Sequence, residues 1–328
     1  MWRVSRSDRP TKADVARLAK VSTATVSYVL NNAKGVTISA QTRETVQQAA
    51  RQLGYRPNLA ARNLARGGSG VVLYLVPRIA LGELPIEVGS RMTTALAKHG
   101  VMSLVLFETE DDRQVTEALS AFDPVAVTSV FPLSGGALAA VQAAGVPQFH
   151  LGSSALQSVG ELHLSAGEMR VDHLTSRGHR HLAFAYANPV KWRPLGDYWL
   201  AGLEAAARRR NLPDLHVATI GPDDAADTVT TWVAAGVTAV CAQSDETALV
   251  VQHGIREAGL RCPEDLAVMG VDAIPLGEVA APPLTTIAFD AEIIVDIAMA
   301  ALLTSLGYPV PEPPPDTGLA RLIQRRST

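Results

Sequence analysis

Apolar side chains near the start of the chain recur three and four residues apart, which is the spacing of short amphipathic helices. After residues 1–10, expected to be disordered, three such patterns follow, and the last ends at Gly54. Each begins behind a residue type that commonly caps a helix: Thr11, Ser22 and Ser39. Short helices joined by a tight turn predict a helix-turn-helix unit over residues 11–57, called the head below.

The pattern changes over residues 58–70. Pro57 excludes continuation of the third helix, and the residues after it can form one further short helix. A helix this short is marginal alone and needs a partner to hold it. The following Gly67-Gly68-Ser69-Gly70 is typical of a flexible joint. We therefore expect a hinge helix and linker over residues 58–70.

From residue 71 onward, short apolar runs alternate with alanine-rich helical patterns. This order is typical of parallel β-sheets covered by helices on both faces, and it is compatible with one large sheet, a barrel or two lobes. The predicted strands are Val71–Val76, Met102–Phe107, Val125–Val130, Gln148–Leu151, His181–Tyr186, His216–Ile220, Ala239–Ala242 and Leu266–Val271. The predicted helices include Val88–Lys98, Ala137–Ala143, Gly167–Thr175, Tyr198–Arg209, Thr228–Ala234, Glu246–Glu257 and Glu292–Leu306.

Composition narrows the class of protein. The chain has 328 residues, of which 47% are hydrophobic and 19% charged, so it is long enough for two or three folded domains. No apolar run approaches the roughly 18 residues of a membrane span, and the N-terminus shows no secretory signal. Two cysteines provide no disulfide framework and no metal-site spacing. We expect a cytoplasmic protein.

Charge is unevenly distributed along the chain. The net charge is −3, but residues 1–67 hold 12 Lys and Arg against three acidic residues, a net of +9. The remaining residues hold 17 basic and 29 acidic side chains, a net of −12. Clustered positive charge on an ordered helical unit favours a polyanionic partner, with nucleic acid as the leading candidate.

The helix-turn-helix segment resembles the DNA-binding head of the lactose/galactose repressor (LacI/GalR) family. The resemblance rests on the run from Thr11 to Asn31 and on Gly54-Tyr55-x-Pro57-Asn58-x-x-Ala61-Arg62-x-Leu64. It continues more loosely through Arg177-Gly178-His179-Arg180, Gly270-Val271-Asp272 and Pro282-Pro283-Leu284-Thr285-Thr286-Ile287. Several blocks in the expected order are more specific than a helix-turn-helix match alone.

The resemblance implies an all-α head followed by a two-lobed α/β core like that of periplasmic binding proteins. The core over residues 71–328 is expected to bind an effector and to dimerise. Its first lobe covers about 71–155 and 288–310, and its second about 156–287 and 311–328. A homodimer, without a membrane partner, is expected to bind a pseudo-palindromic operator in double-stranded DNA under the control of a small polar metabolite, such as a sugar.

The resemblance also assigns roles to residues of the head and hinge. Base contacts are implied for Thr23, Ala24 and Tyr28, and backbone or register contacts for Ser22, Thr25, Ser27, Asn31 and Ser39. The minor-groove hinge residues are Asn58, Ala61, Arg62 and Leu64, with Leu64 as the wedge between base pairs. Lys20 departs from the small residue, usually glycine, that such families favour in the turn.

The effector site is less well matched. The implied effector-binding residues are Asp272, Ser244, Asp245, Arg193 and Trp199. Ser244-Asp245 stands where an Asn-Asp pair is common, Trp199 lies nearest the place of a usual arginine, and Gly152 replaces a frequent aspartate. Three departures in one pocket weaken the inference of a sugar.

Two other functions stay open at this point. One is a solute-binding module or enzyme of the same two-lobed fold with an accessory DNA-binding head, and the other is a regulator that has lost its effector. The sequence contains no nucleotide-binding fingerprint and no Gly-x-Ser-x-Gly elbow. We therefore expect a transcriptional regulator, interpreted as a repressor, with no catalytic residues, cofactor or metal.

Overall fold

The structure is a computed structural model. It describes residues 10–30, 37–55, 69–76, 83–107, 109, 112–129, 133, 135–150, 160–188, 193–310 and 318–328. The chain divides into two compact units, Met1–Ser69 and Gly70–Thr328. Each unit is described separately below.

The described part of the first unit contains three helices: α1 (Lys12–Ala19), α2 (Thr23–Leu30) and α3 (Ala40–Leu53). Their apolar faces meet in one small core that includes Val15, Val26 and Val46, each with no exposed surface. All three helices were predicted, because the periodicity of these apolar positions is local and unambiguous.

Local hydrogen bonds begin and end the helices of the first unit. Thr11 and Asp14 form a capping box at the start of α1, and Thr11 holds the pKa of the Asp14 carboxyl below its usual value. Lys20 ends α1 in the left-handed conformation, with φ of 54°, and Gly54 ends α3 in the same way. A left-handed lysine is strained, whereas glycine is not, so the turn of this head is built on an unfavourable residue.

The second unit contains two parallel four-stranded sheets. The first sheet has the order β2-β1-β3-β4, with β1 Val71–Val76, β2 Met102–Phe107, β3 Ala126–Ser129 and β4 Gln148–Phe149. The second has the order β6-β5-β7-β8, with β5 Leu182–Ala187, β6 His216–Ile220, β7 Ala239–Ala242 and β8 Ala267–Met269. Two sheets of the same strand order confirm the two-lobed interpretation and exclude the single sheet and the barrel.

Helices cover both faces of each sheet. Alternate residues of β1 enter different cores, with Val72 and Tyr74 on one face and Leu73 and Leu75 on the other. The second sheet is covered in the same way. The helices are α4 (Glu83–Lys98), α5 (Arg113–Phe122), α6 (Gly135–Ala144), α7 (Leu162–Ser176), α8 (Arg193–Arg209), α9 (Ala225–Ala234), α10 (Asp245–Glu257), α11 (Leu276–Val279) and α12 (Ala291–Ser305).

The end of the chain returns to both sheets. An antiparallel pair joins β9 (Thr286–Phe289) to β10 (Ala320–Ile323). Helix α12 then packs in the core of the first sheet, beside Val72 and Leu96. The last residues lie against the second sheet, where Ser327 Oγ donates to the Val268 carbonyl at 2.7 Å. The core therefore contains more than one crossing between its two lobes.

All eight predicted strands are present, with ends that differ from the prediction by up to two residues among the described positions. Helices α5 and α11 and strands β9 and β10 were not predicted. The two strands are short, and their pairing joins residues about 30 positions apart, which local periodicity does not reveal. The predicted hinge helix lies outside the described residues. Among those that are described, no helix has both the length and the apolar character of a membrane span.

Candidate functional site

The outer face of α2 presents small and polar side chains. Thr23 and Ala24 are exposed, and Tyr28 keeps 42% of its surface accessible. On the opposite face, Val26 and Val29 are buried in the core of the first unit. The helix is therefore anchored by two valines and free on the side that carries all three predicted base-contacting residues.

Three of the predicted backbone-contacting residues lie at the start of a helix, and a fourth, Ser27, lies in the middle of α2. Ser22 Oγ accepts a hydrogen bond from the Thr25 amide at 3.0 Å and shares one with the Thr25 hydroxyl at 2.9 Å, so both residues shape the start of α2. Ser39 caps α3 in the same way, through the Thr42 amide at 3.2 Å. Ser27 is half-buried and accepts from Lys12 Nζ at 3.5 Å. Asn31, Asn58, Ala61, Arg62 and Leu64 lie outside the described residues.

The second candidate site is the carboxyl edge of the second sheet, meaning the residues that follow β5, β7 and β8. The strand order changes direction between β5 and β7, and the carboxyl ends of strands at such a point are where doubly wound sheets bind ligands. The buried Gln243 closes the floor of this edge, where its side-chain oxygen accepts from the Ala187 amide at 3.0 Å.

Asp245 lies in this floor with no exposed surface. Its carboxylate accepts from the Thr286 hydroxyl at 2.6 Å and from the Ile274 amide at 2.9 Å. Burial raises the pKa of Asp245 to about 6, although those two hydrogen bonds oppose the rise. The preceding Ser244 caps α10 by accepting from the Thr247 amide at 3.2 Å. Both predicted effector residues therefore make structural contacts within the chain.

Asp272 follows β8 on a strained backbone. Its φ is 106° and that of Ala273 is 55°, so two consecutive non-glycine residues adopt left-handed conformations. The Asp272 amide donates to the Ile287 carbonyl at 2.9 Å, which fixes the turn. Burial, and then the nearby Asp245, raise the pKa of the Asp272 carboxyl well above its usual value. The residue itself is half-buried, and a carboxyl group in this setting favours partners that donate hydrogen bonds or carry positive charge.

Arg193 begins α8 and lies over an aromatic ring. Its guanidinium carbon is 3.7 Å from the centre of the Tyr186 ring, and its Nε donates to Asp197 at 3.1 Å. The Tyr186 hydroxyl donates to the same carboxylate at 2.5 Å. Burial and the bond to Asp197 raise the pKa of Tyr186 to about 12. Arg193 remains exposed, so its charge is available at this edge.

Trp199 is 94% buried, since only 6% of its surface is exposed. Its ring stacks on Phe289, with centroids 5.4 Å apart and planes 11° from parallel, and Tyr198 meets it edge-on. The indole nitrogen of Trp199 has no hydrogen-bond partner among the described residues. An aromatic stack thus fills the position where the resemblance leads one to expect an arginine.

Sequence reasoning missed three residues of this floor: Arg170, Gln243 and Thr286. Arg170 is 1% exposed and donates to two carbonyls of the edge. A signal for it existed, because Arg170 falls one turn from Gly167 and Leu174 on the apolar face of α7. No comparable signal marks Gln243, and Thr286 lies within a block that carries the family resemblance, although no role was predicted for it. Among the described residues, no group of three or more His, Cys, Asp or Glu is placed to hold a metal ion.

Two family descriptions match the chain. Residues 11–58 match "Bacterial regulatory proteins, lacI family", and residues 171–328 match "Periplasmic binding protein-like domain". The first match contains every described residue of α1, α2 and α3. The second contains the whole second sheet.

Curated proteins and solved structures of similar length also match. The HTH-type transcriptional repressor CytR of Escherichia coli K12 is 30% identical over 300 residues, covering 85% of this chain and 84% of that protein. The HTH-type transcriptional regulator GntR of Pseudomonas aeruginosa is 30% identical over 339 residues, covering 98% and 96%. The Lac repressor dimer bound to operator and the anti-inducer ONPF has a TM-score of 0.75 at 25% identity, covering 97% and 99%.

Proposed function

Since this chain belongs to the lacI family of bacterial regulatory proteins, we propose that its first unit reads operator DNA with the outer face of α2. One observation carries the proposal: Thr23, Ala24 and Tyr28 are exposed on a helix whose opposite face is held by buried valines. Small and polar side chains on such a helix enter a major groove about 12 Å wide without steric conflict. The protein is a DNA-binding transcriptional regulator, and we interpret it as a repressor.

The roles within the head divide by chemistry. Thr23, Ala24 and Tyr28 contact base edges, where the tyrosine hydroxyl donates or accepts and its ring meets a thymine methyl group. Ser22, Thr25, Ser27, Asn31 and Ser39 contact phosphates or set the register, because hydroxyl, amide and helix-terminal groups suit phosphate oxygens. Asn58, Ala61, Arg62 and Leu64 form the hinge, where Leu64 enters the minor groove.

The protein acts as a homodimer on a pseudo-palindromic operator. Its second unit offers apolar surface for association, since β2 is an edge strand with Met102, Val105 and Phe107 exposed by 43%, 44% and 65%. An open edge with large apolar side chains is costly in water and gains stability when covered. Two copies joined in this way bring two heads to two half-sites of one operator.

A small effector binds at the carboxyl edge of the second sheet and shifts the population of open and closed lobes. Asp272 and Arg193 contact it, because one presents a half-buried carboxyl group and the other an exposed guanidinium. Ser244, Asp245 and Trp199, buried among contacts of the chain itself, shape the floor beneath it. The effector class is a polar metabolite, a sugar or another.

The relatives named above are a transcriptional repressor and a transcriptional regulator, and this supports our proposal of a protein without catalytic activity that works in the cytoplasm. No step of the proposed mechanism requires a cofactor.

The experiment that tests this function is selection of bound DNA from a random duplex pool by the purified full-length protein. We expect an enriched pseudo-palindromic sequence whose binding weakens steeply as salt rises. A full-length Val26→Asp variant is the matched control, because it disrupts the head alone, and it should enrich nothing. If the wild-type protein enriches no DNA sequence, the proposal is refuted. A thermal-shift screen with monosaccharides, nucleosides and organic acids then tests the effector site.

A further inference from the structure

Arg170 is the most deeply buried charged side chain of positive sign among the described residues. It lies in the middle of α7, with 1% of its surface exposed. Burying a guanidinium costs several kcal/mol unless its donors and its charge are both compensated. A cation in this position therefore needs a structural reason, and its surroundings provide one.

Its hydrogen bonds join two strands at the carboxyl edge. Arg170 Nη2 donates to the Ala242 carbonyl at 2.9 Å and to the Gly270 carbonyl at 3.1 Å. Ala242 is the last residue of β7, three positions before Asp245, and Gly270 directly follows β8, two positions before Asp272. One side chain thus holds both strand ends from which the two aspartates extend.

The titratable side chains that interact with the charge of Arg170 are two aspartates and a cysteine. Asp245 and Asp272 lie close enough for the guanidinium to lower the pKa of both carboxyl groups, against a larger rise caused by burial. The negative charge of Glu246 opposes the effect of Arg170, because it raises the pKa of Asp245 and Asp272. Cys241, on β7, is neutral near pH 7, since burial raises the pKa of its thiol to about 11.

One donor of the guanidinium has no partner. Arg170 Nε is buried and makes no hydrogen bond among the described residues. Its Nη2 is already engaged with two carbonyls. The charge of Arg170 is therefore held by backbone oxygens close to two carboxyl groups, rather than neutralised in a direct ion pair among the described contacts.

We propose that Arg170 is the positioning residue of the effector site: it holds the ends of β7 and β8 together and supplies the buried positive charge that keeps Asp245 and Asp272 in place. The inference rests on the proposed function of this edge as an effector site. In this proposal the buried positive charge of the site comes from α7, which carries Arg170. The family resemblance leads one to expect an arginine on α8, where this chain has Trp199.

The test measures the titration of Asp245 and Asp272 by carboxyl-carbon NMR in the full-length protein, together with its Tm at pH 5 and pH 8. In Arg170→Met, the titration midpoint of Asp245 should rise by at least one pH unit, because the neighbouring positive charge is gone. The loss of Tm should be at least twice as large at pH 8 as at pH 5, where protonated carboxyl groups no longer need that charge.

Two further variants separate charge from packing. Arg170→Lys keeps the charge, so its loss of Tm should be smaller than that of Arg170→Met and equal at the two pH values. Arg209→Met removes an exposed arginine at the end of α8 that pairs with Glu168 on α7, the helix of Arg170. This variant should leave the titrations of Asp245 and Asp272 unchanged. Equal losses of Tm in Arg170→Met and Arg170→Lys at both pH values, with unchanged titrations, would overturn the proposal.

A variant that does not fold still decides the matter. If Arg170→Met folds at pH 5 but not at pH 8, the charge is required and the proposal stands. If Arg170→Met folds at neither pH, the result for Arg170→Lys is used instead. A larger loss of Tm in Arg170→Lys at pH 8 than at pH 5 would refute the proposal, and equal losses would support it. None of these measurements uses DNA or an effector, so their failure is distinct from a failure of the proposed function.

Discussion

The outer face of α2 and the carboxyl edge of the second sheet differ in how their residues are held. On α2, the candidate residues are exposed, and the bonds that shape the helix join residues three or four positions apart, as Ser22 and Thr25 do. At the carboxyl edge, Asp245 is buried and is bound by Thr286, 41 positions away, while Arg170 reaches Gly270, 100 positions away.

This difference determines whether the binding specificity of each region can change without changing the stability of the fold. The face of α2 is free to change its side chains without loss of the fold, because folding depends on the valines behind it. The carboxyl edge cannot change in the same way, since its polar groups satisfy one another in a buried network. Specificity for DNA is therefore expected to vary independently of stability, whereas specificity for an effector is not.

The largest effect is expected from Val26→Asp, which breaks the anchor of α2. An unpaired carboxylate in a core this small costs several kcal/mol, more than the small head can lose and remain folded. Sequence-specific DNA binding, measured by fluorescence anisotropy, should fall more than about 1,000-fold, with the Tm of the second unit unchanged. Leu18→Asp, at a position that is 42% exposed, is the matched control and should leave the head folded by circular dichroism. Binding within tenfold of wild type would contradict the role of Val26.

The next effect concerns pH and belongs to the carboxyl edge alone. The pKa of Asp245 in the folded protein is about 6, above the 3.8 of an ordinary aspartate, so the folded state holds the proton more tightly. The contribution of Asp245 to the stability of the second unit should therefore fall as pH rises from about 4 to about 6, by about 3 kcal/mol. Urea unfolding across that range measures it.

Asp245→Asn should remove the contribution of Asp245 to this pH dependence, because the amide does not titrate, and should leave that of Asp272, whose pKa is also raised by burial. Asp265→Asn is the control, since that exposed carboxyl group, bound by Arg261, has a lowered pKa and should contribute the opposite sign. Parallel stability curves for wild type and Asp245→Asn would show that Asp245 is not the titrating group.

A smaller effect is expected from Tyr28→Ala on the face of α2. Loss of one base-edge contact typically costs about 1–3 kcal/mol, so binding to the selected operator should weaken about 5- to 150-fold. Nonspecific duplex binding and the Tm of both units should stay unchanged, because Tyr28 is not part of the core. Tyr28→Phe separates the hydroxyl from the ring. An equal loss of specific and nonspecific binding would remove Tyr28 from base recognition.

The smallest effect concerns the turn between α1 and α2. Lys20→Gly relieves a left-handed backbone, and Lys20→Ala does not, although both remove the same charge. The glycine variant should be more stable than the alanine variant by about 1 kcal/mol, measured by thermal unfolding of the head. Both should reduce the salt dependence of DNA binding equally. Equal stability of the two variants would show that Lys20 is not strained.

Much of the fold could be predicted from the sequence, since its signals are local. The periodicity of Val15, Val26 and Val46 predicts the three helices of the head, and Thr11 and Ser39 predict where two of them begin. Strands β1, β2, β6 and β7 were predicted with their observed ends, because each is a compact apolar run. Strands β9 and β10 were missed, since each is only four residues long and they pair across the whole of α12.

The candidate sites divide in the same way. Thr23, Ala24 and Tyr28 are exposed as one helical face, and their positions along α2 suffice to predict that they share it. At the carboxyl edge, the sequence placed Asp272 and Asp245 only through the family resemblance. It predicted neither the burial of Asp245 nor the stack of Trp199 on Phe289, because both depend on strands that meet only in the folded core.

The sequence by itself determined the division of charge, +9 over residues 1–67 and −12 over the rest, together with the helices of the head and most strands of the core. These properties depend on composition and on neighbours within a few positions. Only the tertiary structure decided which polar side chains are buried at the carboxyl edge, and that Arg170 donates hydrogen bonds to the ends of both β7 and β8. The two hydrogen bonds of Arg170 span 72 and 100 positions of the sequence. They exist only after the sheet has formed, so no local pattern encodes them.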